Sequence, residues 1–259
     1  MRMMKKVLGT VTVLALSVSL LAGCGSTAAS PVSSAASTAA ESTTSSVVSE
    51  TTSAAADENA AAAAQLLNDL TGSYQELWPV ILADEYKQTW LDDCTALVGE
   101  ENAEAAFEKL SSMVTSDVYG EDAVEAYANG GGAYFCGFTN SLATLTFDGE
   151  TSTISGTDKD GNVLFSHTYH YIGMEPVHEL YEFESDDADS GEFTYFFLAP
   201  DISAETYHIE FRYGSDAEAL SQYDAGEYAY WVASGISTDC DQTMIDNCIE
   251  LFCTENLAG

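Results

Sequence analysis

Positive charge is nearly missing from this chain. Seven Lys and Arg stand against 42 Asp and Glu in 259 residues, a formal net charge of −35. Three of the seven, Arg2, Lys5 and Lys6, sit at the start, and only Lys87, Lys109, Lys159 and Arg212 follow. Residues 25–259 therefore set four basic groups against all 42 acidic ones, a net charge of −38. Such a surface repels phosphate, which argues against nucleic acid and anionic lipid headgroups as partners and gathers cations instead. Also missing is any apolar run after the first 24 residues long enough to cross a bilayer. There is no Gly-x-Ser-x-Gly elbow, no phosphate loop and no HExxH pair. No pair of carboxylates is singled out for hydrolysis either, so the expectation is a binding protein and not an enzyme.

What the first 24 residues do carry is a lipoprotein signal. Arg2, Lys5 and Lys6 form the charged n-region, residues 7–20 the apolar stretch, and Leu21-Ala22-Gly23-Cys24 the cleavage box. Lipid on Cys24 then anchors the mature chain to the cell membrane on its extracytoplasmic side. Residues 25–58 are almost entirely Ser, Ala, Thr, Val and Gly without aromatics. Such a stretch buries too little apolar surface to offset the entropy of ordering it and reads as a disordered tether. Its coil dimension is about 30–35 Å. Residues 59–259 suffice for one folded domain with its own core.

Within that domain the patterning changes once. An Ala- and Leu-rich helix is expected over 59–70, ended by Gly72, and helical periodicity returns over 85–98, 101–114 and 120–128. After Gly130-Gly131-Gly132 the chain reads as short strands near 133–138, 142–147, 151–157, 162–171, 179–184, 192–198 and 206–213. Asp148-Gly149, residues 158–162 and residues 186–191 supply the turns. Asp158-Lys159-Asp160-Gly161 lacks the rest of a calcium loop. No helical crossover intervenes among these strands, which predicts an antiparallel meander closed as a barrel or folded as a sandwich. Ser215 or Asp216 caps a short helix. A terminal amphipathic helix starts at Ser237, Thr238 or Asp239 and buries Met244, Ile245, Cys248, Ile249 and Phe252.

The stretch that carries chemistry is Thr206-Tyr207-His208-Ile209-Glu210-Phe211-Arg212-Tyr213-Gly214. Tyr207, Ile209, Phe211 and Tyr213 make an apolar stripe, and Thr206, His208, Glu210 and Arg212 share the opposite face. His208 and Glu210 then project the same way with Cβ atoms roughly 6.5–7 Å apart. That spacing lets both reach one zinc ion, whereas the plain alternative is the polar face of a half-exposed strand. Arg212, on the same face, is placed to pair with Glu210. His167 and His170, three apart, face opposite ways on a strand. Five cysteines remain beyond Cys24 (Cys94, Cys136, Cys240, Cys248, Cys253), none in CxxC spacing, so at most two disulfides form. Cys248 and Cys253 point about 140° apart on one helix and do not bridge each other.

His208 to Gly214 resembles the His-Phe-His-(Ile/Met)-x-x-Gly strand of the ZinT/YodA family of extracytoplasmic zinc-binding proteins. Three further stretches are similar to that family. They are Gly72, Tyr74, Trp78 and Pro79 at the domain's opening, Tyr181-Glu182-Phe183-Glu184 on a later strand, and Gly214-Ser215-Asp216 with Leu220. The resemblance covers about residues 72–252. It implies a mainly β, antiparallel calycin (lipocalin-like) barrel with N-terminal helices and a C-terminal helix over 59–259. It implies zinc, or another divalent metal ion, as ligand, and delivery to a metal ABC transporter as the role. Of the family's three zinc-binding histidines, His208 matches the first of the strand pair and Glu210 replaces the second. The third falls at or near Ala199, which cannot ligate, so Asp201 or His178 is left to complete the set. The family's disulfide positions hold His167 and Ser185, so that bond is absent. The alternative is a barrel that has lost the metal and serves as a scaffold, adhesion module or small-ligand binder.

Overall fold

The computed structural model describes residues 47–129, 132–200 and 208–258. The signal peptide, Cys24 and the tether up to residue 46 lie outside the described residues, as do Gly130, Gly131, Asp201, Thr206 and Tyr207. Eight strands close into one antiparallel barrel: β1 (Gly72–Glu76), β2 (Thr144–Asp148), β3 (Thr153–Thr157), β4 (Val163–Met174), β5 (Tyr181–Ser185), β6 (Tyr195–Leu198), β7 (His208–Gly214) and β8 (Ala233–Ser237). Each pairs with its neighbour in sequence, and β1 pairs with both β2 and β8, with Tyr74 opposite Leu145 on one side and Ser237 on the other. The barrel, not the sandwich, is realised.

Two of these strands are absent from the sequence reading. β1 is short and runs directly into a helix, and β8 (Ala-Ser-Gly-Ile-Ser) has one β-branched apolar residue where strand signals call for several. Conversely, residues 133–138 form no strand. Their hydrogen bonds go to separate places: Tyr134 N–H to the Met113 carbonyl, Phe135 N–H to Tyr230, and the Phe135 and Cys136 carbonyls to Val232 and Ser234. Residues 230–234 run alongside only at Phe135 and Cys136, so no ladder forms and only isolated bridges at Phe135 result. The other six expected strands are present within a few residues of their predicted bounds.

The lumen is filled by the inward set of each strand. Leu145, Ile154, Phe183, Phe196, Phe211 and Tyr213 are buried there with at most 1% exposure. Eight strands enclose a space that side chains fill, and rings fill this one.

Helices cover the barrel in two places. α1 (Val47–Asp69) begins inside the stretch assigned to the tether, because residues 54–56 and 60–64 are alanine, the strongest helix former. Its Ala63, Leu66 and Leu67, with Leu70 just beyond, join the barrel core. The β2–β3 turn meets α1 at Gly149, where a Cβ would lie 2.4 Å from Asn68 Cα and 2.5 Å from the Leu67 carbonyl oxygen. Both obstacles are backbone, so nothing swings aside. Gly149→Ala is expected to lower stability by roughly 1–3 kcal/mol, read as a drop in the urea midpoint. An unchanged midpoint would show that α1 yields freely.

The second cover is a helical layer inserted between β1 and β2, together with the chain's end. It comprises α2 (Leu77–Ile81), α3 (Lys87–Val98), α4 (Ala103–Ser112), α5 (Glu121–Ala128) and α7 (Gln242–Leu257), with α6 (Ala217–Leu220) following β7. Phe252 of α7 packs edge-on against Trp78 and Trp90, centroids 4.7 and 5.9 Å away, and Trp90 donates its indole N–H to the Ile81 carbonyl at 2.7 Å. These contacts lock α7 onto α2 and α3. The α7 N-cap is Asp241, later than expected, because Ser237 ends β8 and the Thr238 N–H is still donated to Ser73 of β1. Asp216 caps α6, accepting from the N–H groups of Glu218 and Ala219.

Candidate functional site

Strand β7 divides two environments. Ile209, Phe211 and Tyr213 enter the barrel core, so alternation turns His208, Glu210 and Arg212 outward. The outward face is not exposed as a simple half-buried strand would be. Next to His208, on β8, Ile236 belongs to a second core shared with Leu77, Trp78, Ile81, Cys248 and Ile249 of the helical layer. His208 and Glu210 therefore sit half-buried between the barrel wall and α2 and α7.

Both line one pocket of about 30 Å³, with Trp78 and Ile81 from α2 and Cys248, Phe252 and Glu255 from α7. That space holds an ion or a water molecule and excludes an organic substrate. Cys248 and Glu255 lie seven apart, two helical turns, and so face the same way. Cys248 reads in the sequence as part of the helix's buried face. Trp78 also lines a larger neighbouring cavity of about 340 Å³, formed with Glu76, Leu82, Val114, Phe135 and Cys136.

The pocket's carboxylates act on two nearby thiols. Burial pushes the Cys248 thiol up to about 12, and the carboxylates of Glu210 and Glu255 add to this. Cys136 is also pushed up, first by burial and then by Glu210, with a hydrogen bond from Ser234 offsetting part of it. Glu210 thus bears on both thiols.

Arg212 does something other than pair with Glu210. Its guanidinium donates to the carbonyls of Leu220, Gln222 and Tyr228 and lies 4.2 Å from the Tyr223 ring centroid. It pins the connection between β7 and β8 onto the outside of the barrel. The reason is geometric: α6 ends beside it, and the last carbonyls of a helix need donors.

His178 belongs to that clamp and not to the pocket. Its ring lies 3.7 Å from Tyr223, centroid to centroid, and its Nδ1 is 3.5 Å from Glu175 Oε2. Glu175 is fully buried and accepts the backbone N–H groups of Val177 and His178. Asp201 lies outside the described residues, and Ala199 is buried with its N–H donated to the Glu210 carbonyl. His167 and His170 leave opposite faces of β4 and pair with Asp187 at 2.9 Å and Asp186 at 2.7 Å, holding the β5–β6 turn. In that turn Ser185 accepts from the hydroxyl of Ser190.

The fit to a metal is partial. The structure brings His208 and Glu210 to one pocket, but among the described residues no three His, Cys, Asp or Glu side chains stand close enough to share an ion.

No family model matches the sequence, and no curated protein matches it. Two solved structures are similar in outline. One is the crystal structure of the Zn(II)-bound ZinT-like domain of Streptococcus pneumoniae AdcA, at 15% identity and a TM-score of 0.45, covering 71% of this chain and 89% of that one. The other is the crystal structure of Zn(II)-bound AdcA from Streptococcus pneumoniae, at 14% identity and a TM-score of 0.42, covering 72% of this chain and 35% of that one. At such identity and score the likeness transfers no residue roles to this chain, which has the closed, helix-covered barrel of a calycin-like fold.

Proposed function

We propose that this chain is a ZinT-type divalent-metal-binding protein, held outside the membrane by lipid on Cys24, that captures zinc and passes it to an uptake transporter. The role is binding, not catalysis. One observation carries the reading: His208 and Glu210 leave the same face of β7 into a single ion-sized pocket whose opposite wall supplies Cys248 and Glu255. Imidazole, carboxylate and thiolate are the three ligand types zinc takes in proteins. Asp201, seven residues before His208 in the sequence, is the further ligand this reading assigns. The acidic surface, at −38 for residues 25–259, raises the local cation concentration around that pocket.

The test is a thermal melt of the chain with and without zinc. At a hundredfold excess over its dissociation constant a single bound ion adds about 2.7 kcal/mol. That raises Tm by roughly 5–10 °C for a domain of this size. Glu210→Gln keeps the side chain's shape and removes its charge, and the rise is expected to shrink to about a third or less. An equal rise in both proteins would place the ion elsewhere on the acidic surface.

A second reading has its own observation. The cavity of about 340 Å³ beside Trp78 has mostly apolar walls and the Glu76 carboxylate at its edge. It suits a small apolar molecule carrying one hydrogen-bond donor. Under this reading the barrel is a ligand carrier or scaffold, and zinc leaves the melt unchanged.

A further inference from the structure

The sulfurs of Cys94 and Cys253 lie 3.9 Å apart, in contact across the α3–α7 interface. Both side chains are fully buried. Cys94 follows Trp90 by one helical turn on α3, and Cys253 follows Phe252 directly on α7, so the thiols lie beside the Trp90–Phe252 contact that joins these helices. We infer that Cys94 and Cys253 form a disulfide that staples α7 onto the helical layer, while Cys136, Cys240 and Cys248 stay outside it.

The geometry asks for little. A disulfide holds its sulfurs at about 2.05 Å, so the 3.9 Å separation has to shorten by roughly 2 Å through side-chain and local adjustment of α3 and α7. The chemistry is thiol–disulfide exchange with a small-molecule or protein disulfide as oxidant. The Cys94 thiol gives up its proton, and its thiolate attacks one sulfur of the oxidant. That bond breaks, and one thiol leaves. The Cys253 thiolate then attacks the Cys94 sulfur of the mixed disulfide, expelling the second thiol. Two electrons pass from the cysteine pair to the oxidant, and two reduced thiols are released. Burial raises both thiols above their ordinary range. Exchange therefore belongs to folding, before α3 and α7 close, and the finished bond is shielded from reductant. The same residue spacing in a reducing compartment would remain two thiols, so the bond is tied to export.

The staple matters to the pocket because α7 carries Cys248 and Glu255 on either side of Cys253. The inference rests on the α3–α7 packing and on the exported location proposed above, and needs no metal. It closes a loop spanning 159 positions of sequence, long enough for a stabilising effect at the upper end of the usual range.

The test refolds the full chain in a buffer of reduced and oxidised glutathione, alkylates it with iodoacetamide without reductant, and maps the digest by mass spectrometry. The expected product joins the Cys94 and Cys253 peptides, with Cys136, Cys240 and Cys248 alkylated. Adding a phosphine reductant under unfolding conditions before a melt is expected to lower Tm by roughly 5–15 °C. Cys94→Ala/Cys253→Ala is expected to show no such reductant effect. Alkylation of both Cys94 and Cys253, or a bond from either to another cysteine, would overturn the inference. So would a reductant shift that persists in the double variant. None of these readouts involves zinc, so failure of the staple leaves the metal reading standing, and the reverse holds too.

Discussion

Arg212→Ala is expected to cost about 3–5 kcal/mol of folding stability, the cost of breaking a buried charged network by removing one member. Arg212 is fully buried and is the only arginine after residue 2. Burial lowers its pKa, yet guanidinium keeps its proton at any accessible pH, so the cation must be met where it lies. Three carbonyls and the Tyr223 ring meet it, and the Glu175 carboxylate adds attraction. Alanine leaves those carbonyls without their donor and opens a void the size of an arginine side chain. Arg212→Lys is expected to recover less than half of the loss, because an ammonium cannot span carbonyls from three positions with one planar fork. The measurement is the denaturant midpoint at fixed slope. A loss under 1 kcal/mol for alanine would mean that the β7–β8 connection holds itself in place.

How much of this was readable from the sequence depends on which physical signal was asked. Alternation in β7 sorted Ile209, Phe211 and Tyr213 from His208, Glu210 and Arg212, and the structure sorts them the same way. Alternation does not say what covers the second face. The covering comes from α2 and α7, more than a hundred positions apart in sequence, and no local pattern encodes that meeting. Arg212 reads as a partner for Glu210 because both share a face. Its real partners are carbonyls of the following connection, which any residue type offers and no side chain announces. β8 escaped notice for a different reason. Its Gly235 lies against Ile209, where a Cβ would approach Cγ1 to 3.1 Å, so the strand is built from small residues to let its neighbour in. Small residues carry no strand signal. The tight turns were legible because their chemistry is local. Asp158 accepts the N–H groups of Asp160 and Asn162 at 2.9 Å, and bonds from Asn162 hold its carboxyl below the ordinary range.

The pocket itself was half legible. His208 and Glu210 follow from period two on a strand, and Cys248 and Glu255 from period seven on a helix. Each pair shows in its own element, but nothing in the sequence joins the two. His178, a candidate by residue type, is held in the Tyr223–Glu175 group instead, where its imidazole packs on the Tyr223 ring and its backbone N–H donates to Glu175.

The measurement that tests metal capture most directly is calorimetric titration of the chain with zinc, beside the His208→Ala variant. One ion per chain is expected to bind in the micromolar range or tighter. Removing the imidazole is expected to weaken binding by at least about 100-fold, since even outer-shell changes at zinc sites cost 10–100-fold. Weak heat spread over many sites, equal in both proteins, would contradict it. The ions would then be held by the diffuse charge of 42 carboxylates, and the pocket between β7 and α7 would not be a metal site.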